Sequence, residues 1–106
     1  MKNYILDENG NPKVELDIMK WAEWFEVPEN RVIARDEVNG VRVSTVFLGL
    51  DHNFDGQGDP ILWETMTFGK GEEQQERYTS KKEALVGHKK IVDSLAPSKE
   101  NLLTNK

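Results

Sequence analysis

The sequence predicts an α+β domain, an antiparallel sheet of about four to five strands with two helices packed on it. Three observations carry that expectation. Asn39-Gly40 sits between two strand-like runs, Arg31–Val38 and Val41–Leu50, which marks a tight hairpin. Two stretches, Ile18–Phe25 and Ala84–Leu95, repeat apolar residues at helical spacing. The elements run strand, helix, hairpin, strand, short strand, helix, an order that places helices on an antiparallel sheet. A chain of 106 residues suits one core and excludes a two-domain enzyme.

Tyr4-Ile5-Leu6 reads as a short strand, followed by dense turn chemistry in Asp7–Pro12. Asp17 is placed to cap the first helix, whose face is Ile18, Trp21, Ala22 and Phe25. Trp24 lies off that stripe and is expected to be partly exposed. Pro28 limits the helix. In the hairpin, Val38 opposite Val41 puts Asp36 opposite Val43, Ala34 opposite Thr45 and Val32 opposite Phe47. On the other face Glu37 meets Arg42 as a favourable charge pair. Asp51–Pro60 is a loop, Ile61–Phe68 a third strand and Gln75–Tyr78 a short fourth. Ser80-Lys81-Lys82-Glu83 has the spacing of a capping box. The last helix then aligns Ala84, Leu85, His88, Ile91, Val92 and Leu95 on one face, and Pro97 ends it. Residues 1–96 form the expected domain and 97–106 a loose tail.

Composition narrows the function. The chain has no cysteine, which removes disulfides, thiol catalysis and Cys-ligated zinc. Asp7 and Glu8 interrupt the N-terminus before an apolar run forms, and no run nears the ~20 residues of a membrane span. A cytoplasmic domain without membrane contact is therefore expected. The net charge of −5 argues against a nucleic-acid duplex as partner. That charge is uneven: residues 1–69 carry −7 and residues 70–106 carry +2, so a basic patch near the last helix is allowed. With only 37% apolar residues the core is modest, and a homo-oligomer would help stabilise it. No cofactor is expected. Gly69-Lys70-Gly71 is too short to cradle phosphate, and no GxxxxGK[ST] or GxSxG element occurs.

Several residues bear on chemistry. Asp51, Asn53 and Asp55 fall at positions 1, 3 and 5 of a calcium-type loop, with Gly56 at position 6 and Asp59 at position 9. Position 12 is Leu62 where a bidentate Glu belongs, and no helix flanks the loop. A loop whose Asp and Asn side chains bond their own backbone is thus the expectation. His52 follows a buried strand end, and His88 lies on the apolar face of the last helix. His88 reads as a core or rim residue with one hydrogen bond, whereas His52 sits in a loop, where function is commonly carried. Should they meet in space, they would form an acid–base pair or a two-nitrogen metal site. Glu64 shares a strand face with Leu62, Met66 and Phe68. A carboxylate buried there needs a partner such as Arg77, Lys82 or a histidine. Trp24, Phe54 and Tyr78, with nearby Arg side chains, would together suit a flat ligand such as a nucleobase.

The blocks Trp21–Glu26, Val43–His52, Glu64–Gly69, Arg77-Tyr78 and Gly87-His88 resemble a small family found in bacteriophages and prophages. The resemblance spans most of residues 4–92. Family members tend to carry Gly/Pro-rich residues where this chain has Asp55 and Asp59, which weakens the calcium reading. No activity is settled for the family, so the resemblance implies an accessory role in the infected cell and no mechanism. The leading expectation is a non-enzymatic binding module. It would sequester a small anionic, nucleotide-type ligand or inhibit a host defence protein, through Trp24, His52, Asn53, Glu64, Arg77, Tyr78 and His88. The rival is a small hydrolase or metal-dependent enzyme using His52, His88 and Glu64, with Asp51 orienting an imidazole. A structural protein without a pocket is the third reading. The shared site in the first two depends on His52, Glu64 and His88 converging.

Overall fold

Asp7 organises the first turn. Its Oδ1 accepts the backbone N–H groups of Asn9 and Asn11, both at 2.9 Å, and this folds the chain back on itself. The result is a two-stranded ribbon, β1 (Tyr4–Leu6) with β2 (Pro12–Val14). The turn was legible in the sequence; the return strand, three exposed residues led by a proline, was not. The computed structural model describes residues 2–71 and 73–96, so the expected tail and the Pro97 stop lie outside the described residues.

Helix α1 (Ile18–Phe25) is capped by Asp17, whose carboxylate accepts from Met19 and Lys20. Its buried face differs from the expected one. Ile18 is 56% exposed, while Trp24 packs edge-on against Phe47 at 5.8 Å between ring centroids. The first three residues of the helix are exposed, and its inward face is set by Trp21, Ala22, Trp24 and Phe25, all partly buried. The Trp21 indole donates to the carbonyls of Tyr4 and Gly49, tying α1 to both neighbouring segments. Gly49, at φ +75°, is needed there: a Cβ would sit 2.9 Å from the Phe25 ring. Pro28 opens a single turn, α2 (Pro28–Arg31). From it Asn30 and Arg31 donate to the carbonyls of Trp24 and Phe25, both at 2.8 Å. Asn30 thereby adds to the Val27 N–H already on the Trp24 carbonyl, and Arg31 satisfies the Phe25 carbonyl at the end of α1.

The main sheet is an antiparallel meander, β3 (Val32–Val38), β4 (Val41–Phe47), β5 (Trp63–Gly69) and β6 (Gln75–Tyr78), in that spatial order. Asn39 and Gly40 take φ values of 52° and 81°, as a tight turn with two left-handed residues requires. The expected register holds from Val38↔Val41 to Ala34↔Thr45. It then slips at a bulge, so Val32 pairs with Val46 and not with Phe47. The third strand starts two residues later than expected, although Leu62 just before it is buried.

Helix α3 (Lys81–Leu95) starts at Ser80, whose Oγ accepts the Glu83 N–H at 3.1 Å. It crosses one face of the sheet, burying Ala84, His88 and Ile91. Leu85, expected on that face, is 41% exposed. The core gathers Phe47, Leu62, Trp63 and Ala84, with Tyr4, Leu6, Trp24, Ile33 and Tyr78 packed around them. No helix among the described residues is long and apolar enough to cross a membrane.

Candidate functional site

Strand alternation decides where the expected site residues go. Val43, Thr45 and Phe47 of β4 and Trp63, Thr65 and Thr67 of β5 share the face beneath α3. Glu64, Met66 and Phe68 point the other way, with Arg77 of β6 directly opposite Glu64. Glu64 and His88 therefore lie on opposite sides of the sheet, and the shared pocket expected from them does not form. Glu64 is 8% exposed and fully engaged: its Oε2 accepts from Arg77 Nε at 2.9 Å and from Gln75 Nε2 at 2.7 Å. The structural ion pair weighed in the sequence is the one observed.

His88 belongs to a buried polar chain. Its Nε2 lies 2.7 Å from Asp36 Oδ2, its Nδ1 2.7 Å from Thr45 Oγ1, and Thr45 in turn bonds Thr65 Oγ1. A carboxylate only accepts, so Nε2 carries a proton. With a neutral imidazole, Nδ1 then accepts from the Thr45 hydroxyl, and Thr65 donates to Thr45. The order Asp–His–Thr is that of an acyl-transfer triad. Its hydroxyl, however, is sealed: Thr45 is 0% exposed and already bonded to both His88 and Thr65. No substrate carbonyl can approach it. The network fixes α3 to β3, β4 and β5.

His52 has separate partners. Its Nδ1 donates to the Leu50 carbonyl at 2.8 Å, and its ring lies beside Phe54. In the following loop Asp51 Oδ1 accepts the N–H groups of Asn53 and Ile61, and Asp55 Oδ1 accepts that of Gln57. Asn53 Nδ2 donates to the carbonyls of Gln57 and Asp59. The loop thus spends these side chains on its own backbone, and Leu62 at the twelfth position is buried in the core. A shallow hollow of about 240 Å³ lies between Lys2, Asp51, Asn53 and Phe54. Trp24, partly buried as expected, packs against the core cluster at Phe47. Of the seven expected binding residues, only Tyr78 lines the larger cavity.

That cavity is a groove of about 670 Å³ between β6 and α3. Gln74, Glu76, Tyr78 and Ser80 form the strand wall; Lys82, Val86, Gly87, Lys90 and Ile91 are among the helix residues opposite. Tyr78 and Gly87 meet in its lining, and the absence of a side chain at Gly87 lets the helix pack directly on the Tyr78 ring: a Cβ at residue 87 would overlap the Tyr78 hydroxyl. Val86 is 50% exposed on its rim. Sequence reasoning missed this site. The available signals were the basic balance of residues 70–106, an apolar Val86 off the core stripe and a glycine inside a helix.

Among the described residues β6 is an edge strand, with no other strand paired to one side of its backbone. The carbonyls of Gln74 and Tyr78 accept from Thr67 and Leu62. By the alternation of an antiparallel ladder, the N–H and C=O groups of Gln75 and Arg77 then point outward. The groove and this free edge are adjacent. No family model matches the chain, and neither a curated protein nor a solved structure does.

Proposed function

We propose that this chain is a non-enzymatic binding module whose partner is a protein, gripped at the groove between β6 and α3. One observation carries the reading: a cavity of about 670 Å³ opens beside an edge strand with unpaired backbone groups. A short extended segment seated there gains main-chain hydrogen bonds from β6 and side-chain contacts from α3, a recurrent mode of peptide recognition. The sealed Thr45 hydroxyl and the separation of Glu64 from His88 favour binding over catalysis. The phage-like sequence blocks supply the setting, in which the partner is a protein of the infected cell, such as one of its defences.

A small anionic ligand is the second reading, favoured by Lys82 and Lys90 beside the Tyr78 ring. Glu76 and Glu83 in the same lining balance those charges over the groove as a whole, so attraction is local to each lysine and suits two separated carboxylates better than one compact anion. Selection of a random peptide library on the immobilised chain tests the first reading, with Val86→Asp as the control surface. Enrichment that Val86→Asp abolishes is the expected result. Enrichment indifferent to that change, or a melting-temperature rise with nucleotides and no peptide enrichment, defeats it.

A further inference from the structure

We infer that the groove accepts an extended segment of another protein with acidic residues four positions apart and an apolar residue midway, added to β6 as a fifth strand. The inference rests on the reading of the groove as a protein-binding site. Lys82, Val86 and Lys90 all line the groove and follow one another at four-residue intervals on α3. At about 1.5 Å rise per residue, Val86 lies ~6 Å along the helix from each lysine, and the lysines are ~12 Å apart. Alternate side chains of a strand are spaced ~6.7 Å, so residues i, i+2 and i+4 cover ~13 Å. The two repeats agree to about 1 Å over that span.

Charge completes the match. Among the described residues the ion pairs are Arg77–Glu64, His88–Asp36 and Lys89–Asp93, so Lys82 and Lys90 are both open to an incoming carboxylate. Glu76, on the strand wall, repels an acid placed directly opposite, which leaves that position to the central apolar residue. The outward N–H and C=O groups of Gln75 and Arg77 fix the segment's backbone. A second copy of this chain is a poor occupant. Its own acidic pairs at this spacing, Asp51/Asp55, Asp55/Asp59 and Glu72/Glu76, enclose Asn53, Gln57 and Gln74 and not an apolar residue.

The test uses the full chain and three acetylated heptapeptides. One reads threonine, glutamate, threonine, valine, threonine, glutamate, threonine; the second has lysine for both glutamates; the third is a scramble of the first. Binding is followed by fluorescence anisotropy and by amide shifts in NMR spectra. The acidic peptide is expected to bind, to shift the Gln75 and Arg77 amides, and to weaken with salt. Reversing both rim charges (Lys82→Glu with Lys90→Glu, each on an exposed side chain) should weaken it by about tenfold and favour the lysine peptide. Equal binding of all three peptides at β6 overturns the acidic pattern while the groove reading stands. Groove shifts with adenosine monophosphate but with no peptide overturn the inference in favour of a small anion. A dimer that already protects the β6 amides overturns it in favour of a second copy. Silence of every groove amide overturns it too, and the library selection then decides the groove reading separately.

Discussion

Replacing Gly87 with alanine sets two known effects against each other. Inside an exposed helix, glycine to alanine stabilises by about 1 kcal/mol, because alanine loses less backbone freedom on folding. At Gly87 the new Cβ would stand 2.1 Å from the Tyr78 hydroxyl and 2.6 Å from two of its ring atoms. Tyr78 packs against the core cluster, so either the ring or the helix must move. Overpacking of this kind costs about 1–3 kcal/mol. Together these leave Gly87→Ala less stable by up to about 2 kcal/mol, a fall of as much as roughly 8–16 °C in melting temperature for a domain this size. Far-UV circular dichroism with heat and urea reads the change. The decisive arm is a double-mutant cycle with Tyr78→Ala, in whose background Gly87→Ala should raise stability by about 1 kcal/mol. A rise in the parent, or an equal loss in both backgrounds, refutes the close approach and with it the described shape of the groove wall.

Further outcomes follow from the same geometry. His88→Ala should cost about 2–4 kcal/mol in urea unfolding, since it leaves a cavity and strips partners from buried Thr45 and from Asp36. Asp36→Ala should cost less, because the Asp36 side chain is 53% exposed and water replaces the lost contact. Removing either helix cap, by Asp17→Ala or Ser80→Ala, should destabilise by about 1 kcal/mol each in the same assay. Millimolar calcium should leave the melting temperature unchanged, because Asp51, Asn53 and Asp55 are engaged with loop backbone; a clear rise would show that those bonds yield to a metal.

Local rules were legible from residues alone. Asn39-Gly40 dictated a turn with two positive φ values, and the pairing followed as far as Ala34↔Thr45. Asp17 and Ser80 capped where their side chains could reach the first N–H groups. The bulge before Ala34 was hidden, since Val32, Ile33 and Ala34 are all apolar and show no alternation that an extra residue could break. So was the inward turn of Trp24, because an eight-residue amphipathic helix can be rotated by what it packs against, and here Phe47 decided.

The candidate site divides in the same way. Glu64 was read as a carboxylate needing a partner, and Arg77 was among those named; pairing across adjacent strands is a short-range matter. Whether His52, Glu64 and His88 met was a question of which side of the sheet each faced and how far apart the chain carried them. The groove is likewise a product of assembly: its walls come from β6 and α3, which meet where Tyr78 packs on Gly87. Sequence by itself determined the turns, the caps, the strand and helix periods and the absence of thiol chemistry, because these depend on neighbours within about one turn of chain. Only the tertiary structure decided the faces, the assembly of the Asp36–His88–Thr45 network and the groove between β6 and α3, because each needs residues distant in sequence to be brought to one place.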